Sequence, residues 1–170
     1  RVWRGETPQA RKGRFREFYQ CDIDIIGRDK LSYLAEAEIP SVIYSVFREM
    51  GIGDFRIRIN NRKVLKGLLQ SLNVSDDVAP EALRILDKIE KVQDVEIFSE
   101  LKRIGVSGIA ANDIYDLMSF RGDTDETLRE IAGLGVRNEF LSQGLKELTE
   151  VVGAIRAFGV PDTAFRVDLG

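Results

Sequence analysis

Apolar and polar positions alternate near the start of this chain, cycle with a helical period through its middle, and alternate again at its end. Over residues 14–25 the even positions hold Arg14, Arg16, Phe18, Gln20, Asp22 and Asp24. The odd positions hold Phe15, Tyr19, Cys21, Ile23 and Ile25, with Glu17 the one exception. Side chains of a strand point alternately to opposite faces, so one face here is almost wholly apolar and the other polar. With the arm before it and a polar, glycine-containing loop between, residues 4–24 predict a hairpin. A helix over 34–50 follows, with Ile39, Val42, Ile43, Val46, Phe47 and Met50 as its buried stripe. Pro40 is placed near its start, and Gly51 and Gly53 end it. Alternation returns in a half-buried strand over 55–60.

Between residues 61 and 156 six helices are expected and no strand: 62–72, 80–92, 95–104, 109–120, 126–132 and 139–158. Pro80 and Glu81 suit a first turn, and Ser107 suits an N-cap. The break at Gly159, Val160 and Pro161 precedes a returning strand over 165–169, with Phe165, Val167 and Leu169 on one side. The fold class is therefore α+β: an antiparallel sheet unit over 1–60, a helical insertion over 61–158, and a return to the sheet over 159–170.

Composition narrows the chemistry. The chain has no histidine and one cysteine, which removes Ser-His-Asp and Cys-His catalysis, histidine-ligated metals and any intrachain disulfide. Cys21, on the apolar face, is expected to pack as a small buried hydrophobe, and a reduced, cytoplasmic setting follows. No apolar run reaches the length of a membrane span. The chain opens on Arg1 without an initiator Met and stops just after a strand, so it is read as an excised piece of a longer protein. The net charge of −3 is uneven: residues 1–16 carry six basic groups and Glu6 alone as acid, leaving −8 for the remainder. A basic loop on an acidic body calls for an anionic ligand at that loop.

The polar hairpin face can be read as an ordinary solvated surface or as a site. As a site it is ordered. Arg4 and Arg14 offer planar donor sets that suit a polyphosphate, and Phe18 offers a flat surface for a base. Glu6 would accept from an exocyclic amine, while Gln20 and Asp24 would meet an ammonium or a ring N–H. Arg16 and Asp22 share the face without a ligand and are read as holding the others. No nucleophile stands beside a base, so the set positions a substrate and stabilises charge, as chemistry at a nucleotide α-phosphate requires. Neither a P-loop nor a Gly-x-Gly-x-x-Gly run is present.

Arg4-Gly5-Glu6 through Lys12-Gly13-Arg14-Phe15-Arg16-Glu17-Phe18-Tyr19-Gln20-Cys21-Asp22-Ile23-Asp24, closed by Gly27, resembles motif 2 of class II aminoacyl-tRNA synthetases. Its particular form is similar to the histidyl-tRNA synthetase family. Residues 55–69 and 165–169 resemble that family's passages into and out of its helical insertion. The resemblance implies Arg4 on the α-phosphate and the amino-acid carboxylate as the catalytic residue, and Glu6, Arg14 and Phe18 on ATP. It implies Gln20 and Asp24, with Arg4, on histidine. Arg11 and Lys12 of the loop, and Arg62, Lys63, Lys66, Lys102 and Arg103 of the helical block, are the candidates for tRNA contact. ATP would be a substrate, with Mg2+ expected alongside it and no metal ligand identified in the chain. Histidine and its tRNA would be the other partners, in a cytoplasmic homodimer with no membrane association. Motif 1 and the dimer interface would precede Arg1, motif 3 would follow Gly170, and residues 1–170 alone would be inactive.

Two other readings stay open. One is a histidyl-synthetase-like regulatory subunit of ATP phosphoribosyltransferase, which would not need the whole ATP-contacting set. The other is a non-catalytic RNA-contacting module, against which stands the balance of 14 basic and 19 acidic residues over 61–170.

Overall fold

A computed structural model describes residues 1–5, 7–9, 13–135 and 138–169 of the chain. They fall into two compact units, residues 1–31 and 32–170.

The first unit is the expected hairpin, with less regular pairing than the alternation suggests. Strands β1 (Val2–Trp3) and β2 (Glu17–Phe18) pair antiparallel, Val2 opposite Phe18 and Trp3 opposite Glu17. Residues 19–31 have no strand partner among the described residues. A two-stranded ribbon has no second layer of its own, so the predicted apolar face is largely open: Tyr19 is 83% exposed, and Phe15 and Ile23 are exposed too. Cys21 is also exposed, which corrects its expected burial.

The second unit begins with helix α1 (Tyr33–Met50), whose first turn is capped by the Ser32 hydroxyl accepting from the Leu34 N–H. Gly51 closes it in the left-handed conformation, φ 65°, where a side chain would be strained. Pro40 lies past the second turn rather than near the start. The expected buried stripe is corrected as well. Ala37 and Pro40 are the buried residues of α1, and Met50 is 67% exposed. The side of α1 carrying Ala37, Pro40 and Tyr44 faces the core, and the stripe ending at Met50 lies around the helix from it.

Strand β3 (Ile57–Ile59) leads into six helices among the described residues, as many as the periodicity predicts. These are α2 (Arg62–Ser71), α3 (Ala79–Leu86), α4 (Asp94–Arg103), α5 (Gly108–Ser119), α6 (Thr124–Gly133) and α7 (Glu139–Ala157). Helix α3 stops short of residue 92 because its end tightens into i+3 bonds, Ile89 N–H to the Leu86 carbonyl at 2.9 Å among them. Helix α6 starts earlier than expected, since Asp123 and Glu126 form a reciprocal capping box. Ser107 caps α5 as read.

Strand β4 (Phe165–Val167) returns beside β3, parallel to it, with Ile57 opposite Phe165 and Ile59 opposite Val167. A parallel return needs a long crossover, which the helical block supplies. The odd-numbered side chains of this pair, Phe165 and Val167, are buried with Val64, Leu68, Leu69, Val152 and Ile155 of α2 and α7. The even side is charged. Buried Asp168 takes an ion pair from Arg58 Nε at 2.7 Å and another from Arg166. Arg58 also forks onto Glu90, at 2.9 and 3.2 Å, so β3, β4 and the segment after α3 are tied by charge. That pairing pulls the Glu90 carboxyl below its ordinary value.

Candidate ATP- and histidine-binding hairpin

Arg4 is placed by backbone geometry. Its N–H donates to the Arg16 carbonyl at 2.9 Å, one step beyond the β1–β2 pair, so Arg4 and Arg16 extend the ladder. The next pairing is Gln9 with Arg14, held by two backbone bonds of 3.0 and 3.2 Å. Four residues, 5–8, separate these rungs on the first arm, and only Phe15 on the second. The first arm thus carries three residues more than the second between these rungs, Pro8 among them, which has no N–H to give a ladder. Gly13 follows in the left-handed region, φ 69°. This offset breaks the even–odd alternation at its basic end and brings Phe15 in beside Arg14.

Arg4, Gly13, Arg14, Phe15 and Phe18 line one open cleft of about 320 Å³. The Arg4 guanidinium lies over the Phe18 ring, 5.3 Å from its centroid, a cation–π arrangement. Arg4 Nη2 also lies 3.5 Å from Gln20 Oε1, and Gln20 Nε2 donates to Asp22 Oδ1 at 2.6 Å. At the hairpin's open end the Arg1 guanidinium pairs with Glu17 and sits over Trp3.

Of the residues expected at this site, the structure brings Arg4, Arg14, Phe18 and Gln20 together. Asp24 is exposed further along, and no hydrogen bond among the described residues joins it to that set. Glu6, Arg11 and Lys12 lie outside the described residues. Gly13 belongs to the loop expected near ATP, whereas Phe15 was not foreseen as lining, because the strand alternation puts it on the opposite face from Arg14. The candidates in the helical block differ in kind. Lys63 bonds Glu147 of α7 at 2.5 Å, and Lys66 sits 4.5 Å from the centroid of the Phe140 ring. Arg62, Lys102 and Arg103 are exposed, with no ion pair among the described residues. No helix among the described residues is long and apolar enough to cross a membrane.

A polar hairpin, a following helix and strand, and a helical block closed by a returning strand together define part of the catalytic domain of a class II aminoacyl-tRNA synthetase. The family model for histidyl-tRNA synthetase matches residues 1–170, and the chain belongs to that family. Histidine–tRNA ligase of Clostridium tetani is 44% identical over 99% of this chain and 38% of its own length. That of Nostoc sp. PCC 7120 is 41% identical over 99% of this chain and 37% of its own. The crystal structure of the Nostoc histidyl-tRNA synthetase superposes with a TM-score of 0.88 at 40% identity, over 92% of this chain and 37% of that one. A Bacillus halodurans structure described as an ATP phosphoribosyltransferase regulatory subunit/histidyl-tRNA synthetase shares the fold, with a TM-score of 0.63 at 18% identity over 80% of this chain and 35% of that one. The chain thus spans a little over a third of the length of the curated relatives it matches.

Proposed function

We propose that this chain supplies the ATP- and histidine-binding hairpin, and the helical insertion over 61–158, of an enzyme that joins histidine to its tRNA through a histidyl-adenylate. The observation that carries the reading is the convergence of Arg4, Arg14 and Phe18 on one cleft, with Gln20 against Arg4. In the first step a histidine carboxylate oxygen attacks the α-phosphorus of ATP. The bond to the β-phosphate breaks, and pyrophosphate leaves with the electron pair. The tRNA's terminal hydroxyl then attacks the activated carbonyl and gives up its proton to solvent, the carbonyl–oxygen bond to the phosphate breaks, and AMP leaves with the electron pair.

Arg4 is the catalytic residue of this scheme. Its guanidinium holds the α-phosphate and the incoming carboxylate, two anions that repel each other, and meets the negative charge on the α-phosphoryl oxygens in the transition state. Arg14 holds the outer phosphates, Phe18 stacks on adenine, and Glu6 accepts from its amine. Gln20 and Asp24 take the donor groups of histidine. In this reading the charge-stabilising work derived for this chain is done by guanidiniums. Mg2+ in this reading arrives with the ATP phosphates. Residues 7–13 approach ATP and the tRNA acceptor end, and the basic residues Arg62, Lys102 and Arg103 of the helical block, which have no ion pair among the described residues, are the tRNA contacts. A cytoplasmic homodimer is part of the same proposal. The regulatory-subunit alternative has a likeness of fold alone on its side, at 18% identity.

The test is histidine-dependent ATP–pyrophosphate exchange in a chain extended to the relatives' full length. Arg4→Ala should lower exchange by about 10³-fold, in the range of a lost transition-state donor. Gln20→Ala should chiefly raise the KM for histidine and leave that for ATP nearly unchanged. A Gln20→Ala protein that lost ATP binding but kept its histidine dependence would overturn this division of the site.

A further inference from the structure

We propose that Asp22 is a positioning residue that fixes which end of the Gln20 amide faces the substrate. The inference rests on the reading of Gln20 as a histidine contact. A glutamine side chain carries two donor hydrogens at one end and two acceptor lone pairs at the other, and the two ends have nearly the same shape. Rotation by half a turn therefore exchanges a donor for an acceptor at almost no steric cost, and a glutamine in a binding site needs something to hold it one way.

In this hairpin both neighbours have a single polarity. A guanidinium can only donate, and an ionised carboxylate can only accept. Asp22 Oδ1 accepts from Gln20 Nε2 at 2.6 Å, while Arg4 Nη2 lies 3.5 Å from Gln20 Oε1. Both demand the same orientation. The short, charge-assisted bond is the stronger by distance, so Asp22 is the main determinant and Arg4 the lesser one. The contact follows from sequence spacing: residues 20 and 22 share a face of an extended chain. Asp22 makes no ion pair among the described residues, so its carboxylate is not committed to neutralising an arginine.

The consequence is a polarity for the pocket. With its nitrogen turned to Asp22, Gln20 presents its oxygen on the side of Arg4 and Phe18. That oxygen keeps a lone pair for a ligand's ammonium or ring N–H, and it repels a carboxylate. A flipped amide would set its NH2 against the Arg4 guanidinium and against the ligand's N–H, donor facing donor.

Asp22→Asn keeps size and shape but offers both a donor and an acceptor, so it tolerates either orientation. Asp22→Glu keeps an acceptor-only group. In the exchange assay on the full-length chain, Asp22→Asn should raise the KM for histidine about 10-fold, the scale of one hydrogen bond to a charged group. The KM for ATP should stay within about 3-fold, and Asp22→Glu should recover part of the loss. An unchanged histidine KM, or equal shifts in both constants, overturns the proposal. A wild-type enzyme with no histidine-dependent exchange would instead sink the functional reading. The orientation itself is then decided on the 170-residue chain by NMR. The two Gln20 Nε2 hydrogens should differ widely in chemical shift in the wild type and converge in Asp22→Asn, and identical spectra would refute the role of Asp22.

Discussion

Glu147 gathers donors from three residues. Lys63 Nζ bonds its Oε1 at 2.5 Å, Gln143 Nε2 bonds the same oxygen at 3.0 Å, and Asn61 Nδ2 bonds Oε2 at 3.1 Å. Asn61 is also the N-cap of α2, its oxygen accepting from the Lys63 N–H at 2.8 Å. One side chain on α7 thus holds the first turn of α2. Lys63 was a candidate for tRNA contact on charge alone. Its partner lies 84 residues away, so no local pattern could have revealed the pairing. Lys63 first, then Asn61, hold the Glu147 carboxyl below the ordinary carboxylate range. A carboxyl whose folded value is depressed contributes stability above its unfolded value and loses it as pH falls through the folded one. Glu147→Gln should therefore lower stability by about 1 kcal/mol at pH 7, a partly exposed pair being modest in worth. The difference should shrink as pH falls below about 4. Urea denaturation of both proteins at several pH values checks this, and a gap that widened in acid would contradict it.

At the scale of elements, α2 and α7 meet through two glycines. A Cβ on Gly67 would fall 2.3 Å from the Leu141 nitrogen, and one on Gly144 would fall 2.7 Å from the Val64 nitrogen. Positions 64 and 67 share a face of α2, and 141 and 144 share a face of α7, so each glycine admits the backbone of the other helix. Gly153, also on α7, has nothing within 4 Å of its would-be Cβ. The two substitutions should act in opposite directions. Gly144→Ala forces main chain apart and should destabilise by about 1–3 kcal/mol, as overpacking does. Gly153→Ala gains helix propensity and should stabilise by about 0.5–1 kcal/mol. Thermal melts of the pair separate contact from propensity, and equal shifts would mean that the helices do not meet as described. Three glycines inside helical patterns were visible in the sequence. Which of them touches a neighbour was not, because that depends on how two helices far apart in the chain cross.

For the whole molecule, burial is concentrated in the second unit. Every buried hydrophobic residue described lies beyond residue 32, from Ala37 to Leu169. The hairpin holds its shape by a few backbone bonds and exposed side-chain contacts. Segments with few buried contacts open at low free energy, whereas core helices open only with global unfolding. Hydrogen exchange should thus be slowest in α2 and α7, with protection at least about 100-fold above that of the hairpin amides. Comparable protection in residues 13–18 and 139–157 would refute this ordering.

The sequence by itself determined the kinds of elements and nearly all of their positions, because helical and strand periods are local properties of side-chain spacing. It also determined the chemistry of the even-numbered hairpin face, since residues 18, 20 and 22 must share a side of an extended chain. Tertiary structure alone decided the rest. The parallel pairing of β3 with β4, the ion pair of buried Asp168 with Arg58, and the pairing of Lys63 with Glu147 join residues about 80 to 110 positions apart. The three-residue offset between the hairpin arms, which sets Phe15 beside Arg14, depends on which backbone groups find partners. Such contacts arise from the packing of whole elements, and neither residue type nor local period specifies them.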